Sequence, residues 1–550
     1  MKLQEQEFFA SRSVEIATAE NSSVRKKLIA KLPSENPSLW KAWCEASRVA
    51  EGQSHFVRNS ARYPLCGKGD VNTYALFAEH NRSSLNSVGR AGFMVPTGIV
   101  SDDSTKHFLQ MIVETRGLVS FYDFENREAL FASVHRSFKF GLLTLGAAPS
   151  ADFVFFASNV AHLNDADRHF TLSPADFATL NPNTKTCPTF RSKRDAELNL
   201  AIYRRAGVLW REDDEKHGNP WGLRFMAMLH MANDSGLFRS RAQLEAAGAK
   251  LVGNHFKQEE VEYVPLIEAK MVHHFDHRFG TYGTNDNQEK TSELGDSEHA
   301  QCSRTGLPYY WVEAKELLKR IAGVWDHQWL LGWRDITGTL NQRTLVASLI
   351  PLAATGDTFL LAMPQSGSSA IDLYCSLTSF VVDYAARQKV GGTHLKYHVF
   401  KQLPILPTET FAQLARWAAT SMSAWIRPRV LELTYTAWDI EPFAQDAGYD
   451  GPPFKWDPAR RFLLRCELDA AFFHLYGISY DDAAYILDTF PIVKKNDEKA
   501  NGEYRTKRVI LEIYDAMAAA SKSGKPYQTL LSPPPADPSV AHPDTRRVKR

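Results

Sequence analysis

The side chains with the most chemistry to offer cluster near the middle of the sequence. The segment KMVHHFDHRFG sets His273, His274 and His277 beside Asp276, and imidazoles so spaced invite a metal site or a proton relay. His273 and His277 can share a helix face, but no glutamate lies between them in helical register and no third ligand follows. The pattern therefore predicts no metal centre, and a structural or phosphate-contacting cluster is the reading that remains. Glu268-Ala-Lys270 follows the apolar run VEYVPLI and imitates the Glu-x-Lys end of a metal-dependent nuclease, where the carboxylate holds a metal and the lysine orients water. Glu313-Ala-Lys315 repeats the tripeptide, and no partner aspartate is placed to complete either, so nuclease activity is only a third reading of the chain.

Three proline-rich places invite comparison with loops of the Asn-Pro-Pro-aromatic type, in which acceptors hold a base's exocyclic amine while a ring stacks on it. Asn219-Pro220-Trp221 lacks the second proline, Gly451-Pro452-Pro453-Phe454 lacks the amide acceptor, and Ser532-Pro533-Pro534-Pro535 lies in the tail. None follows a buried strand, so none qualifies. No G-x-G-x-x-G precedes residue 70 and no phosphate-binding G-x-x-x-x-G-K-[ST] loop occurs; CGKGD at 66–70 reads as a polar turn before a helix.

Basic residues form two strips. Residues 181–211 hold seven Lys or Arg against two acids, and 384–407 hold four Lys or Arg and two His with no acid, aromatics interleaved. With the tail residues Arg546, Arg547, Lys549 and Arg550 they point to a polyanionic partner.

These residues need elements to position them. Residues 1–60 read as helical, with Pro33 and Pro37 as breaks. Val71, Tyr74, Ala78 and Leu85 predict a helix ended by Gly89. Strands follow at 91–96, 117–124, 139–146 and 152–157, with a helix through Phe108, Leu109, Ile112 and Val113 capped by Ser101 or Asp102. This order is half of an open α/β sheet, ending in two strands close together in sequence.

The 550 residues, 44% hydrophobic, 23% charged and 11% aromatic, exclude disordered, collagenous and coiled-coil classes. The formal charge of +1 argues neither for nor against a polyanion. Six scattered cysteines support neither a disulfide framework nor a zinc knuckle. The N-terminus is too charged for a signal peptide, and Leu345–Met363 is interrupted by Pro351, Gly356 and Asp357. A soluble cytoplasmic protein with no membrane partner is the expectation.

The runs KLQEQEFFASR, GDVNTYALFAE, GRAGFMVPTGIV, VSFYDFENREALF and KFGLLTL, followed in order by CPTFRSKRDAEL, NPWGLRFMAMLHMANDSGLF, RDITGTLNQRT, VGGTHLKYHVFKQLPILP and ELDAAFFHLYGISYDDAAYILDTFPIV, give the chain a family resemblance. It resembles the latter half of a gamma-class N-6 adenine DNA methyltransferase of type IIG restriction-modification and related phage-defence systems. The resemblance implies an α/β fold: the C-terminal half of a Rossmann-like methyltransferase sheet, an α+β target-recognition domain and a helical C-terminal region. The implied divisions are a helical segment at 1–60, a partial methyltransferase domain at 61–190, target recognition at 191–455, the helical region at 456–530 and a disordered basic tail at 531–550.

The activity implied is methyl transfer from S-adenosylmethionine to the exocyclic amine of a flipped adenine in double-stranded DNA, without a metal. Asn72, Tyr74 and Phe77 match the helix that helps close the cofactor pocket. Phe140 or Phe138 matches the aromatic that stacks on the flipped base, and Phe140 reads equally as a core residue of an alternating strand. Arg191, Lys193, Arg194, Arg387, Lys389, His394 and Lys396 are the candidate DNA contacts. The family's Asn-Pro-Pro-aromatic loop would end just before KLQEQEFF and is not in this sequence, so the resemblance places the catalytic acceptors and the cofactor turn in an N-terminal half or separate subunit. The alternative is a non-catalytic DNA-specificity subunit or inactive remnant of a restriction-modification enzyme.

Overall fold

A computed structural model describes residues 3–69, 71–283, 290–390 and 392–544. The chain divides into two compact units, Met1–Ala196 and Glu197–Arg550. The expected boundary at 190/191 falls six residues earlier.

The first unit opens with helices α1 (Glu5–Ala10), α2 (Val14–Ala17), α3 (Ser22–Glu35) and α4 (Pro37–Asn59). Pro37 starts α4 at its first position, where a missing N–H costs nothing, whereas Pro33 is carried within α3. Phe9, Ile16, Ile29 and Leu32 form a small core capped by Trp40 and Trp43. Beyond Trp43, α4 leaves Val49 and Phe56 largely exposed.

Helix α5 (Thr73–Ser83) ends at Ser84, five residues before the expected Gly89. Gly89 instead closes a turn on the Asn86 carbonyl. Helix α6 (Lys106–Glu114) has Thr105 at its N-cap, not Ser101 or Asp102, which lie in the preceding turn. The strands are β1 (Ala91–Pro96), β2 (Leu118–Glu125), β3 (Lys139–Leu145), β4 (Ala151–Ala157) and β5 (Phe170–Leu172), ordered β1-β3-β2-β4-β5. β3 runs antiparallel between β1 and β2, while β4 lies parallel to β2 on its other side. The neighbours in sequence, β3 and β4, thus do not pair. Gly141 explains part of this placement: a Cβ there would meet the Phe121 ring at 2.1 Å, so glycine lets a core aromatic lie across the strand. Phe121, Leu143 and Phe153 are fully buried. The next positions in register, Tyr122 and Leu142, are half-buried, and Met94 is 51% exposed.

Among the described residues the second unit contains two sheets of four or more strands. In the first, β6 (Arg224–Met226), β11 (Trp329–Arg334), β12 (Ala347–Pro351) and β13 (Phe359–Met363) order as β12-β11-β13-β6, all antiparallel; in the second, β7 (Lys250–Val252), β8 (His255–Gln258), β9 (Val261–Ile267) and β10 (Tyr310–Glu313) order as β10-β9-β8-β7. The apolar run 345–363 therefore folds as two strands of the first sheet and a short strand, Ala354–Thr355, parallel to β9. In β11, Trp329, Leu330, Leu331 and Trp333 are all buried, which requires cover on both faces.

Helices α7 (Gly367–Thr378), α8 (Phe380–Lys389), α9 (Met422–Thr434), α10 (Pro458–Leu475), α11 (Tyr480–Asp488), α12 (Pro491–Asn501) and α13 (Arg505–Ser523) complete the unit. They share one apolar core with the β11 sheet, so residues 456–530 are not a separate body. Within that core Arg429 Nε donates to Glu467 Oε2 at 2.7 Å, and the other carboxylate oxygen accepts from Tyr527 and Thr529. Every oxygen of the buried acid is thereby satisfied, as a buried pair demands.

The tail differs from expectation. Leu531 and Ala541 are buried, Ala536 N donates to Glu432, and His542 N donates to the Pro453 carbonyl. Residues 531–544 are packed rather than disordered; the basic residues from Arg546 onward lie outside the described residues. No described helix is long and apolar enough to cross a membrane. The fold is mixed α/β with a helical C-terminal region, the class expected.

Candidate functional site

In the first unit, Asn72 forms the exposed N-cap of α5 without a side-chain cap bond. Tyr74 is half-buried, and burial, then the Asp102 carboxylate, push its phenol above the ordinary range. Phe77 is 66% exposed and, with Phe56, Leu76 and His80, lines an apolar groove of about 450 Å³. Of the three cofactor candidates only Phe77 lines it.

Phe140 packs its face on Phe124, centroids 5.3 Å apart and 6° from parallel, and its ring meets Phe131 edge-on at 5.1 Å. Phe138 is 63% exposed. The geometry thus separates the two aromatic candidates: Phe140 has an aromatic partner, whereas Phe138 presents an open ring.

Sequence reasoning missed Asp123. It is buried, Thr97 Oγ1 donates to one oxygen, and Phe156 N donates to the other at 3.2 Å. Burial raises its carboxyl above the usual carboxylate range. Phe156 has a φ of +58°, rare for a side-chain-bearing residue, and the Asp123 bond holds it there. Its ring then carries two cations, Arg191 at 4.1 Å and Lys139 at 4.7 Å, with Glu125 paired to Lys139 and Arg127. An acid at position 6 of the strand LVSFYDFE was the available signal. Lys193 and Arg194 are exposed at the start of the helix Lys193–Ala206.

The second strip is arranged differently. Arg387 donates to the carbonyls of Thr489, Asn341 and Gln342, and its guanidinium lies 3.9 Å from the Phe490 ring. Both terminal nitrogens are committed to main-chain carbonyls, so Arg387 is a staple between segments. Lys389 lies over the Tyr203 ring at 4.5 Å, and burial holds its ammonium well below the usual lysine range. A phosphate contact needs a solvated, charged head, so these two candidates are corrected to packing roles. His394 and Lys396 remain half exposed, and both reach Asp335 Oδ2, at 2.9 and 2.6 Å.

The histidine cluster is built into the fold. His277 bonds Asp439 at 2.9 Å, His299 bonds Asp276 at 3.1 Å and His274 bonds the Leu345 carbonyl. Arg278, fully buried, donates to the carbonyls of His299, Gln301, Arg304 and Thr436. Glu268 accepts from Tyr282 at 2.7 Å and lies 3.4 Å from Lys270. Among the described residues no group of three or more His, Cys, Asp or Glu is arranged to hold a metal ion. The rejected loops serve folding: Asn219 clips Leu223 through both backbone polar atoms, and Phe454 is buried against Tyr449.

No protein-family model and no curated protein matches this sequence. Solved structures that resemble it in part include two restriction enzymes. One is the type IIL restriction-modification enzyme MmeI in complex with DNA, at 9% identity, 79% of this chain, 55% of that chain and a TM-score of 0.39. The other is the type IIG restriction endonuclease BpuSI, at 11% identity, 75% of this chain, 50% of that chain and a TM-score of 0.25. The chain spans about half the length of either.

Proposed function

We propose that this chain supplies DNA recognition and part of the catalytic domain of an adenine-specific DNA methyltransferase of the restriction-modification kind. The observation that supports this most directly is the first sheet. The motif runs AGFMVP, LVSFYDFE and KFGLLTL fold as an open α/β sheet in which β1 is an edge strand, and α5, with Asn72, Tyr74 and Phe77, packs beside it.

The groove at Phe77 offers an apolar face to a ring but no carboxylate among its lining residues, and a ribose is ordinarily held by an acid. It does not fit the whole of S-adenosylmethionine. What this chain's residues supply in the proposal is positioning. Phe138 offers an open ring to a base taken out of the stack, Phe140 and Phe124 back the strand beneath it, and Arg191, Lys193, Arg194, His394 and Lys396 meet the duplex.

Purified residues 1–550 should bind duplex DNA with a steep salt dependence and should transfer no labelled methyl group to it. Methyl incorporation by this chain alone would overturn the division of labour. A second reading, a DNA-specificity subunit without catalysis, is favoured by the lack of a carboxylate in the lining of the Phe77 groove. Adding a polypeptide that carries a G-x-G-x-x-G turn and an Asn-Pro-Pro-aromatic loop discriminates: restored methylation supports the first reading, and unchanged inactivity the second. Glu268→Gln and Lys270→Met should abolish no metal-dependent cleavage.

A further inference from the structure

We propose that the helical region of the second unit holds a site for a small free oxyanion, of the phosphate or carboxylate class, on the guanidinium of Arg465. The site goes beyond the methyl-transfer reading and stands independently of it.

The recess has a volume of about 190 Å³ and is lined by Arg343, Arg465, His273, Asp469, Phe380 and Phe472 among others. Its two arginines are in different states. Arg343 is committed, with Nε on Asp383 at 2.5 Å, another nitrogen on the Thr378 carbonyl and its carbon 4.2 Å from the Phe380 ring. Arg465 has one bond, from Nε to the Arg461 carbonyl at 3.3 Å, and no ion pair among the described residues. Its terminal nitrogens, the fork that matches an oxyanion, are uncommitted.

The nearest acids act on this charge through space, without a direct bond to it. Asp469 stands one helical turn from Arg465 on α10, but its Oδ1 accepts from Phe380 N at 2.8 Å and it forms no pair with the arginine. Asp497, at another part of the wall, accepts from Thr506 N at 2.6 Å. His273 is held down to about 3, first by burial and then by Arg334, with Arg343 and Arg465 adding to the effect against Asp276. A guanidinium whose terminal nitrogens open into a recess without a directly bonded acid is the arrangement that an anion relieves, because its planar fork offers two donors to one oxyanion. The recess has room for a phosphate-sized ion, not for a nucleotide.

The test is thermal unfolding of the full chain in inorganic phosphate against chloride at matched ionic strength. Millimolar phosphate should raise the Tm of the wild type by several degrees, and Arg465→Gln should weaken that response about tenfold while Arg465→Lys keeps part of it. Equal stabilisation of wild type and Arg465→Gln, or none of either, overturns the site. If Arg465→Gln does not fold, wild-type crystals soaked in selenate should show an anomalous peak within hydrogen-bond reach of Arg465, and its absence is equally decisive. Duplex DNA provides the last arm. If Arg465→Gln weakens duplex binding but leaves the phosphate response intact, the anion is a backbone phosphate and the free-anion site is wrong. Neither result depends on methyl transfer, so failure here is separable from failure of the proposed function.

Discussion

The two basic strips look alike in composition and have opposite fates. In 181–211 the cations end outside: Lys193 and Arg194 are exposed, and Arg191 shares the Phe156 ring with Lys139. In 384–407 the helix α8 is buried along most of its length, so Arg387 is drawn against carbonyls and Lys389 against an aromatic ring. A run of lysines and arginines is a surface only if the element carrying it has a free face. That difference is open to experiment. Arg387→Ala removes three carbonyl contacts and a ring contact, and should cost about 3 kcal/mol in urea unfolding. Its effect on DNA affinity should disappear once only folded protein is counted. An unchanged unfolding midpoint with weakened DNA binding would reverse the assignment.

The next effect is a pH dependence on the same helix. Asp469 accepts the N–H of Phe380, the first residue of α8, and burial pushes its carboxyl up to about 6. The folded state then holds a proton that the unfolded chain has released, so this group's contribution to stability is full below the unfolded pKa near 4 and is lost as pH rises through about 6. Relative to Asp469→Asn, the wild type should lose about 2 kcal/mol between pH 4 and 7. Parallel curves for the two proteins would show that the carboxyl is not so perturbed.

The first strip supplies a smaller effect, on binding alone. Lys193→Ala combined with Arg194→Ala should weaken duplex affinity about tenfold and reduce the salt slope by about 2, with Tm little changed. An unchanged slope would remove this strip from the interface.

These contrasts also mark what was legible in the residues. Strand positions 91–96, 118–125, 139–145 and 151–157 could be read to within a residue, because buried apolar runs bounded by turns carry their own signal. Pairing could not, since the insertion of β3 between β1 and β2 depends on Gly141 admitting the Phe121 ring, a contact between residues twenty apart. Helix ends were missed where side-chain caps are absent, as at Thr105. The packed tail was misread because Pro and Ser composition suggests disorder, whereas Arg460 and Glu432 bind its backbone. Among the site residues, composition located the strips, and only the fold could separate the staples from the surface.

The smallest expected effect lies where the second strip does reach solvent. His394 and Lys396 both bind Asp335 Oδ2, and the acid itself is 2% exposed with Oδ1 unpartnered. Losing His394 leaves the lysine on the same oxygen, so His394→Ala should cost only about 0.5 kcal/mol, as exposed pairs generally do. Losing both strands a buried carboxylate, and the double variant should therefore exceed the sum of the singles by about 1 kcal/mol. Additive costs would mean that the two cations do not share the acid, and would leave both to meet a phosphate. A positive coupling means instead that any phosphate reaching His394 and Lys396 competes with Asp335, which makes this the weaker of the two strips on DNA.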